Sequence, residues 1–216
     1  MADGTAGSGG GVLTVDGEVS ISDSEISGNS ATRAGGGIEI ITGAVEIDDT
    51  DFDANSTGAS PGNGGGLHVT ADAVTEVSGG SFTNNTASEE CGGLWNSATG
   101  SLSIDGTEIT CNTASGAGSD QGGGGVFNNG GTLTISGAEI SDNTADGTAG
   151  SGGGVLTVDG DVSISDSEIS GNSAVRAGGG IEVITGDVEI EDTDFDANST
   201  GASPGNGGGL HVTADA

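Results

Sequence analysis

Carboxylates dominate the chemistry open to this chain. Asp49, Asp51 and Asp53 lie two apart in the run DDTDFD, and Asp192, Asp194 and Asp196 repeat the spacing in EDTDFD. These are the densest local carboxylate groups of the chain. Ca2+ takes oxygen ligands of this kind, so these six are the calcium candidates. Neither an EF-hand loop nor the calcium-binding nonapeptide GGxGxDxUx accompanies them, and solvated surface charge is the simpler reading. Trp95 and Phe127 are suited either to stack on a sugar ring or to pack under cover. His68 with Glu39, repeated as His211 with Glu182, is an acid–base pair in type. Because each position recurs singly in a duplicated background, these four read as surface residues rather than as a catalytic dyad. Cys91 and Cys111 leave two alternatives open, a disulfide closing one coil or two free thiols.

The elements that must hold these residues are set by repetition on two scales. Residues 2–73 return at 145–216, with five differences: Glu18/Asp161, Thr32/Val175, Ile40/Val183, Ala44/Asp187 and Asp48/Glu191. Within that long repeat, a glycine cluster ends at Gly11, Gly37, Gly66, Gly93, Gly125, Gly154, Gly180 and Gly209, each time followed by Val, Ile or Leu. Between clusters lies an eleven-residue module, as in VSISDSEISGN at 19–29 and VEIDDTDFDAN at 45–55. Its alternating β-branched residues predict strand, the Asp or Gly after them predicts a corner, and the Ile or Phe beyond predicts a second inward strand. The glycine cluster opens a third. Repeats of this period point to a solenoid. The expected fold is all-β, a parallel β-helix of about 7.5 coils with three short strands each, one domain over 1–216 and roughly 35 Å long at the strand spacing.

Position by position, the repeat assigns roles. The Asn closing each module (Asn29, Asn55, Asn85, Asn112, Asn143, Asn172 and Asn198) is expected to stack into an amide ladder, aided by the tolerance of Asn for left-handed backbone. The residue before each inward Ile or Phe (Glu25, Asp51, Ser81, Glu108, Glu139, Glu168, Asp194) forms an outward, mostly acidic column. Like charges one coil apart repel by about 0.9 kcal/mol even in water. The glycine-led strand presents a second outward column: Leu13, Glu39, His68, Trp95, Phe127, Leu156, Glu182 and His211. Chain between the Asn and the glycine cluster varies from eight residues (Asn29 to Gly37) to thirteen (Asn112 to Gly125), so insertions map to one edge. That edge holds Arg33, Arg176, Pro61, Pro204 and the Glu89–Glu90 pair.

The formal charge is −31, with two Arg and no Lys. Nucleic acid and anionic membranes are thereby disfavoured as partners. Self-repulsion of this size needs screening, which suggests a halophilic or marine prokaryotic source and an extracellular or cell-surface location. Melting temperature is expected to rise steeply from low to molar salt; equal melting temperatures across that range would contradict this. No segment reads as a signal peptide or membrane span. Met1 stands where Thr144 stands in the second copy, and no polar cap is evident. The expectation is therefore an uncapped section of a longer repetitive protein, open to end-to-end or lateral association.

The pairing of Gly36-Gly37-Ile38 with Phe52-Asp53-Ala54-Asn55, and of the same glycine-led motif with Phe82-Thr83-Asn84-Asn85, resembles the GGAI and FxxN repeats of polymorphic outer membrane proteins. The resemblance covers essentially the whole chain. It implies a right-handed parallel β-helix in an exported, often adhesive passenger. The chain departs from that family in having GGG for GGA and Ile for many Phe. The function this favours is a non-catalytic structural or adhesive stalk, with a cell-surface or glycan ligand and no cofactor beyond the calcium candidates. The alternatives are a self-assembling fibre unit and a β-helix that binds or degrades polysaccharide. Against degradation stands the absence of an assembled site, since paired carboxylates occur everywhere in so acidic a chain.

Overall fold

The computed structural model describes residues 1–58, 61–201 and 205–213; Pro204 and the last residues of the second long repeat lie outside these. Among the described residues every element is a strand, and all pairings are parallel. The first coil shows the plan: β1 (Val12–Thr14), β2 (Glu18–Ser22), β3 (Glu25–Ser27) and β4 (Ser30–Ala31). Their equivalents stack coil on coil into one eight-stranded sheet led by the glycine clusters and three seven-stranded sheets. The result is a parallel β-solenoid of about seven coils.

Each coil has four strands, not the three expected. The fourth is the two-residue strand directly after the ladder Asn, and it pairs in register from Ser30–Ala31 through Ser56–Thr57 onward. Its signal was a small residue two places after the Asn (Ala31, Thr57, Ala87, Ala114), too short a run to show periodicity.

The inner faces of the four sheets enclose one core. Phe52, Phe82, Ile104, Ile109 and Leu133 are among its fully buried members, each contributing about 1.5–3 kcal/mol by burial. Phe52 and Phe82 of successive coils stack 4.2 Å apart. The corner between the second and third strands is made by the Asp or Gly expected there, in left-handed conformation, as at Asp23 (φ 46°) and Gly106 (φ 60°). The next hydroxyl pins the turn: Thr50 Oγ1 donates to the Asp48 carbonyl at 2.9 Å, and Ser167 Oγ to that of Ser165 at 2.7 Å.

The asparagines form the ladder, but not by adopting left-handed backbone. That conformation belongs to the residue before each, for example Ala54, Asn84 and Cys111. The Asn side chain then points inward. Asn112 Oδ1 accepts from both the backbone N and the Nδ2 of Asn85, at 2.9 and 3.0 Å, while its own Nδ2 donates to Asn143 Oδ1 and to the Phe82 carbonyl. Gly36 shows why glycine precedes each first strand: a Cβ there would overlap the Gly65 carbonyl of the next coil and the Ser56 backbone.

Candidate functional site

The residues with the most chemistry lie on the outer face of the glycine-led sheet. Register places them in one column, Leu13, Glu39, His68, Trp95, Phe127, Leu156, Glu182 and His211. Most of this column is buried. Trp95 is 7% and Phe127 1% exposed, which leaves neither ring a free face for a sugar. With Cys91 and Leu156 they make a second apolar cluster outside the main core, supported by Val158 and Ile184. His68 stacks on Trp95 at 4.2 Å, and Trp95 lies parallel to Phe127 at 5.9 Å. Glu90 and Cys91 reach this layer from the variable edge, Glu90 by a hydrogen bond from the Trp95 ring nitrogen, so that loop acts as a lid over the ring rather than as a free arm.

Glu39 and Glu182 are fully buried, which corrects their reading as surface residues. Each is held by an arginine of the variable edge. Arg33 Nη2 lies 3.2 Å from Glu39 Oε1, and Arg33 Nε donates to Ser8 Oγ of the preceding coil at 3.0 Å. The second copy rebuilds this: Arg176 Nη2 to Glu182 Oε1 at 3.0 Å and Arg176 Nε to Ser151 Oγ at 2.9 Å. A histidine from the next coil completes each cluster. His211 Nδ1 is hydrogen-bonded to Glu182 Oε2 at 2.8 Å. His68 Nδ1 sits 2.9 Å from Glu39 Oε2, but off the line of a hydrogen bond. A buried carboxylate must be paired to persist, and every Arg and His of the chain is used for this. The arrangement ties the loop edge to the sheet across three coils. The arginine role was missed from sequence. Its available signal was that the only four Arg and His residues keep one spacing about the glutamate in both copies.

Glu90 anchors the middle of the lid. Its Oε2 accepts from Trp95 Nε1 at 3.0 Å and from Asn63 Nδ2 at 3.1 Å. Burial raises its pKa, as do the neighbouring Asp120 and Glu89 charges, while the Trp95 hydrogen bond opposes them. A carboxyl with a raised folded-state pKa binds more protons folded than unfolded, so its contribution to stability falls as pH rises from the ordinary Glu range through the raised value. Glu90→Gln keeps an acceptor for Trp95 and removes that slope. It is expected to melt above the parent at neutral pH, the gap closing towards acid. Thermal melts followed by Trp95 fluorescence check this, and an unchanged pH profile would contradict it.

Cys91 and Cys111 are both free. Cys91 takes the left-handed first position of its glycine cluster (φ 60°) and turns its thiol into the outer cluster, 3.4 Å from the Gly125 carbonyl. Burial pushes that thiol well above the ordinary range, partly offset by hydrogen bonds from the Phe127, Gly93 and Leu94 backbone. Cys111 is exposed at the ladder corner, so the two side chains face different surroundings.

The acidic column lies in register from Glu25 to Asp194. Hydroxyls of the following coil relieve part of the repulsion: Ser81 donates to Asp51 at 2.7 Å and Thr83 to Asp53 at 3.0 Å. Asp49 and Asp192 instead occupy the left-handed corner, apart from the strand pairs Asp51–Asp53 and Asp194–Asp196. Among the described residues, no three His, Cys, Asp or Glu side chains gather as a metal site.

Sequence reasoning also missed a buried polar pair inside the main core. Asn96 Nδ2 donates to Asn128 Oδ1 at 2.9 Å, and both residues are fully buried. Two open grooves lie on the outer face of the sheet containing β2. One, of about 360 Å3, carries Glu18, Glu46 and Glu76. The other, of about 340 Å3, carries Asp161, Asp187 and Glu189. They share two walls in the long repeats, residues 18–20 with 161–163 and 44–46 with 187–189, where two of the five differences fall (Glu18/Asp161 and Ala44/Asp187); their third walls, Val74 with Glu76 and residues 132–134, lie outside those repeats. In comparisons with known proteins, the chain matches no family model, no curated protein and no solved structure.

Proposed function

We propose that this chain is a non-catalytic length of stalk in an exported cell-surface protein, extending and repeating weak binding patches. The observation that carries this is the use of its basic chemistry. All four Arg and His side chains lie against two buried glutamates, one Arg and one His to each, with the His–Glu hydrogen bond aligned only in the second long repeat. A polysaccharide lyase that uses an arginine base needs it free at an open cleft, whereas a spacer needs these groups to lock successive coils; a glycoside hydrolase, which works with two carboxylates, is tested by the glycan screen below. The paired grooves support the adhesive side of the reading, since similar weak acidic patches on one rod gain avidity. The right-handed sense of the coil and the likeness to polymorphic outer membrane protein repeats belong to the same proposal.

The test is to lengthen the full chain by further 143-residue units, the offset from Ala2 to Ala145. Each unit adds five coils and is expected to lengthen the rod by about 24 Å in small-angle scattering. Retention on arrays of cell-wall and host glycans is expected to rise with unit number. Retention independent of length would leave a spacer without adhesion, and release of reducing ends from any glycan would overturn the non-catalytic reading.

A further inference from the structure

The sequence holds three Asn-x-Ser/Thr triplets, beginning at Asn55, Asn84 and Asn198, the acceptor pattern for N-linked glycan. The fold separates them. Asn55 and Asn198 are ladder rungs. Asn55 is fully buried, and both hydrogens of its amide are committed, one to the Ile26 carbonyl at 2.7 Å and one to Asn85 Oδ1 at 3.0 Å. Asn198 donates to the Ile169 carbonyl, and its Oδ1 accepts twice from Asn172. A sugar on either nitrogen would break the corner it holds.

Asn84 is one residue earlier in its module, at the left-handed corner (φ 56°) with its side chain exposed. Thr86, which supplies the hydroxyl of the triplet, is also exposed. The corner needs the backbone conformation and not this side chain: Gly28, Ala54, Cys111, Asp142, Gly171 and Ala197 fill the same slot in the other coils. Its neighbours along the rod, Ala54 and Cys111, are small and leave room. The Asn84 amide gives one hydrogen, to Asp53 Oδ1 at 2.9 Å. An N-glycosylated asparagine retains one N–H, so the modified side chain still carries a donor, and at most one hydrogen bond, to Asp53 Oδ1, is at stake.

We propose that Asn84 is the N-glycosylation site of this chain. The donor is an oligosaccharide carried on a polyprenyl pyrophosphate. The Asn84 amide nitrogen forms a bond to the anomeric carbon and loses a proton to base. The bond from that carbon to the pyrophosphate oxygen breaks, and the pyrophosphate leaves with the electron pair. The proposal rests on the export reading only for where the native chain meets such an enzyme, and the test supplies the enzyme independently.

The full chain is secreted from a yeast, and the folded fraction is mapped by mass spectrometry before and after amidase release of N-glycans, which converts the modified Asn to Asp. The expected result is occupancy at Asn84 alone, lost in Asn84→Gln and in Thr86→Ala, with Trp95 fluorescence melts of both variants within a few degrees of the parent. A folded, secreted parent without glycan would overturn the proposal. So would glycan on Asn55 or Asn198 in the folded fraction.

Discussion

Arg33→Met is expected to cost about 3–5 kcal/mol, the range for stranding one member of a buried ion pair. Glu39 has no exposed surface, and its carboxylate is paired with the Arg33 guanidinium, with His68 Nδ1 also 2.9 Å away. Removing the guanidinium leaves that carboxylate against the misaligned His68. The opposite truncation, Glu39→Leu, should cost less, because the Arg33 side chain is 40% exposed and can turn into water. The double variant Arg33→Met/Glu39→Leu should recover most of the loss, since well-packed apolar groups often replace a buried pair at little cost. The coupling term of the double-mutant cycle isolates the pair. Thermal melts give the energies, a few degrees per kcal/mol for a chain of this size. Trp95 fluorescence reports the local event, because His68 stacks on that ring. A single-variant loss below about 1 kcal/mol, the range of an exposed pair, would mean that the pair behaves as solvated surface charge.

Asn112→Ala is the second large effect, expected at about 3–5 kcal/mol from two orphaned buried donors and a small cavity. The orphans are the backbone N–H and the side-chain N–H of Asn85, which both end on Asn112 Oδ1. The Phe82 carbonyl also loses its amide donor. Asn29→Ala provides the contrast. Asn29 is only half-buried, and its two bonds run one way, to Asn55 Oδ1, so about 1 kcal/mol is expected. Urea melts of the two variants check the gradient. Equal losses at the two positions would show that the ladder contributes by local turn preference rather than by buried satisfaction.

How far the molecule could be read from its residues differed by element. The eleven-residue module was legible because alternation and corner residues are local signals, repeated seven times without insertion. Stacking in register then aligned every outward column, the acidic one included. The fourth strand was not legible, because two residues carry no period. The left-handed residue was placed one position late, because Asn tolerates that conformation but is needed here for its amide. The outer layer over Trp95 and Phe127 was left open between packing and binding, since parity says only that these side chains face away from the main core. Whether water or a loop lies beyond is decided by aperiodic segments.

What the residues alone determined is the coil: its strands, its Asn ladder and the common address of each position along the rod. Only the tertiary structure decided what each address is worth. Glu46 and Trp95 both face outward by parity, yet Glu46 is exposed and Trp95 is only 7% exposed, because Glu90 and Cys91 of the variable edge pack against the ring. Glu39 was likewise an outward residue by parity and a buried one in fact, because a lid carrying Arg33 folds over it. Backbone geometry follows from local preference, which is written in sequence. Burial, and with it the energy of a charge or a ring, depends on which distant segments come to cover it.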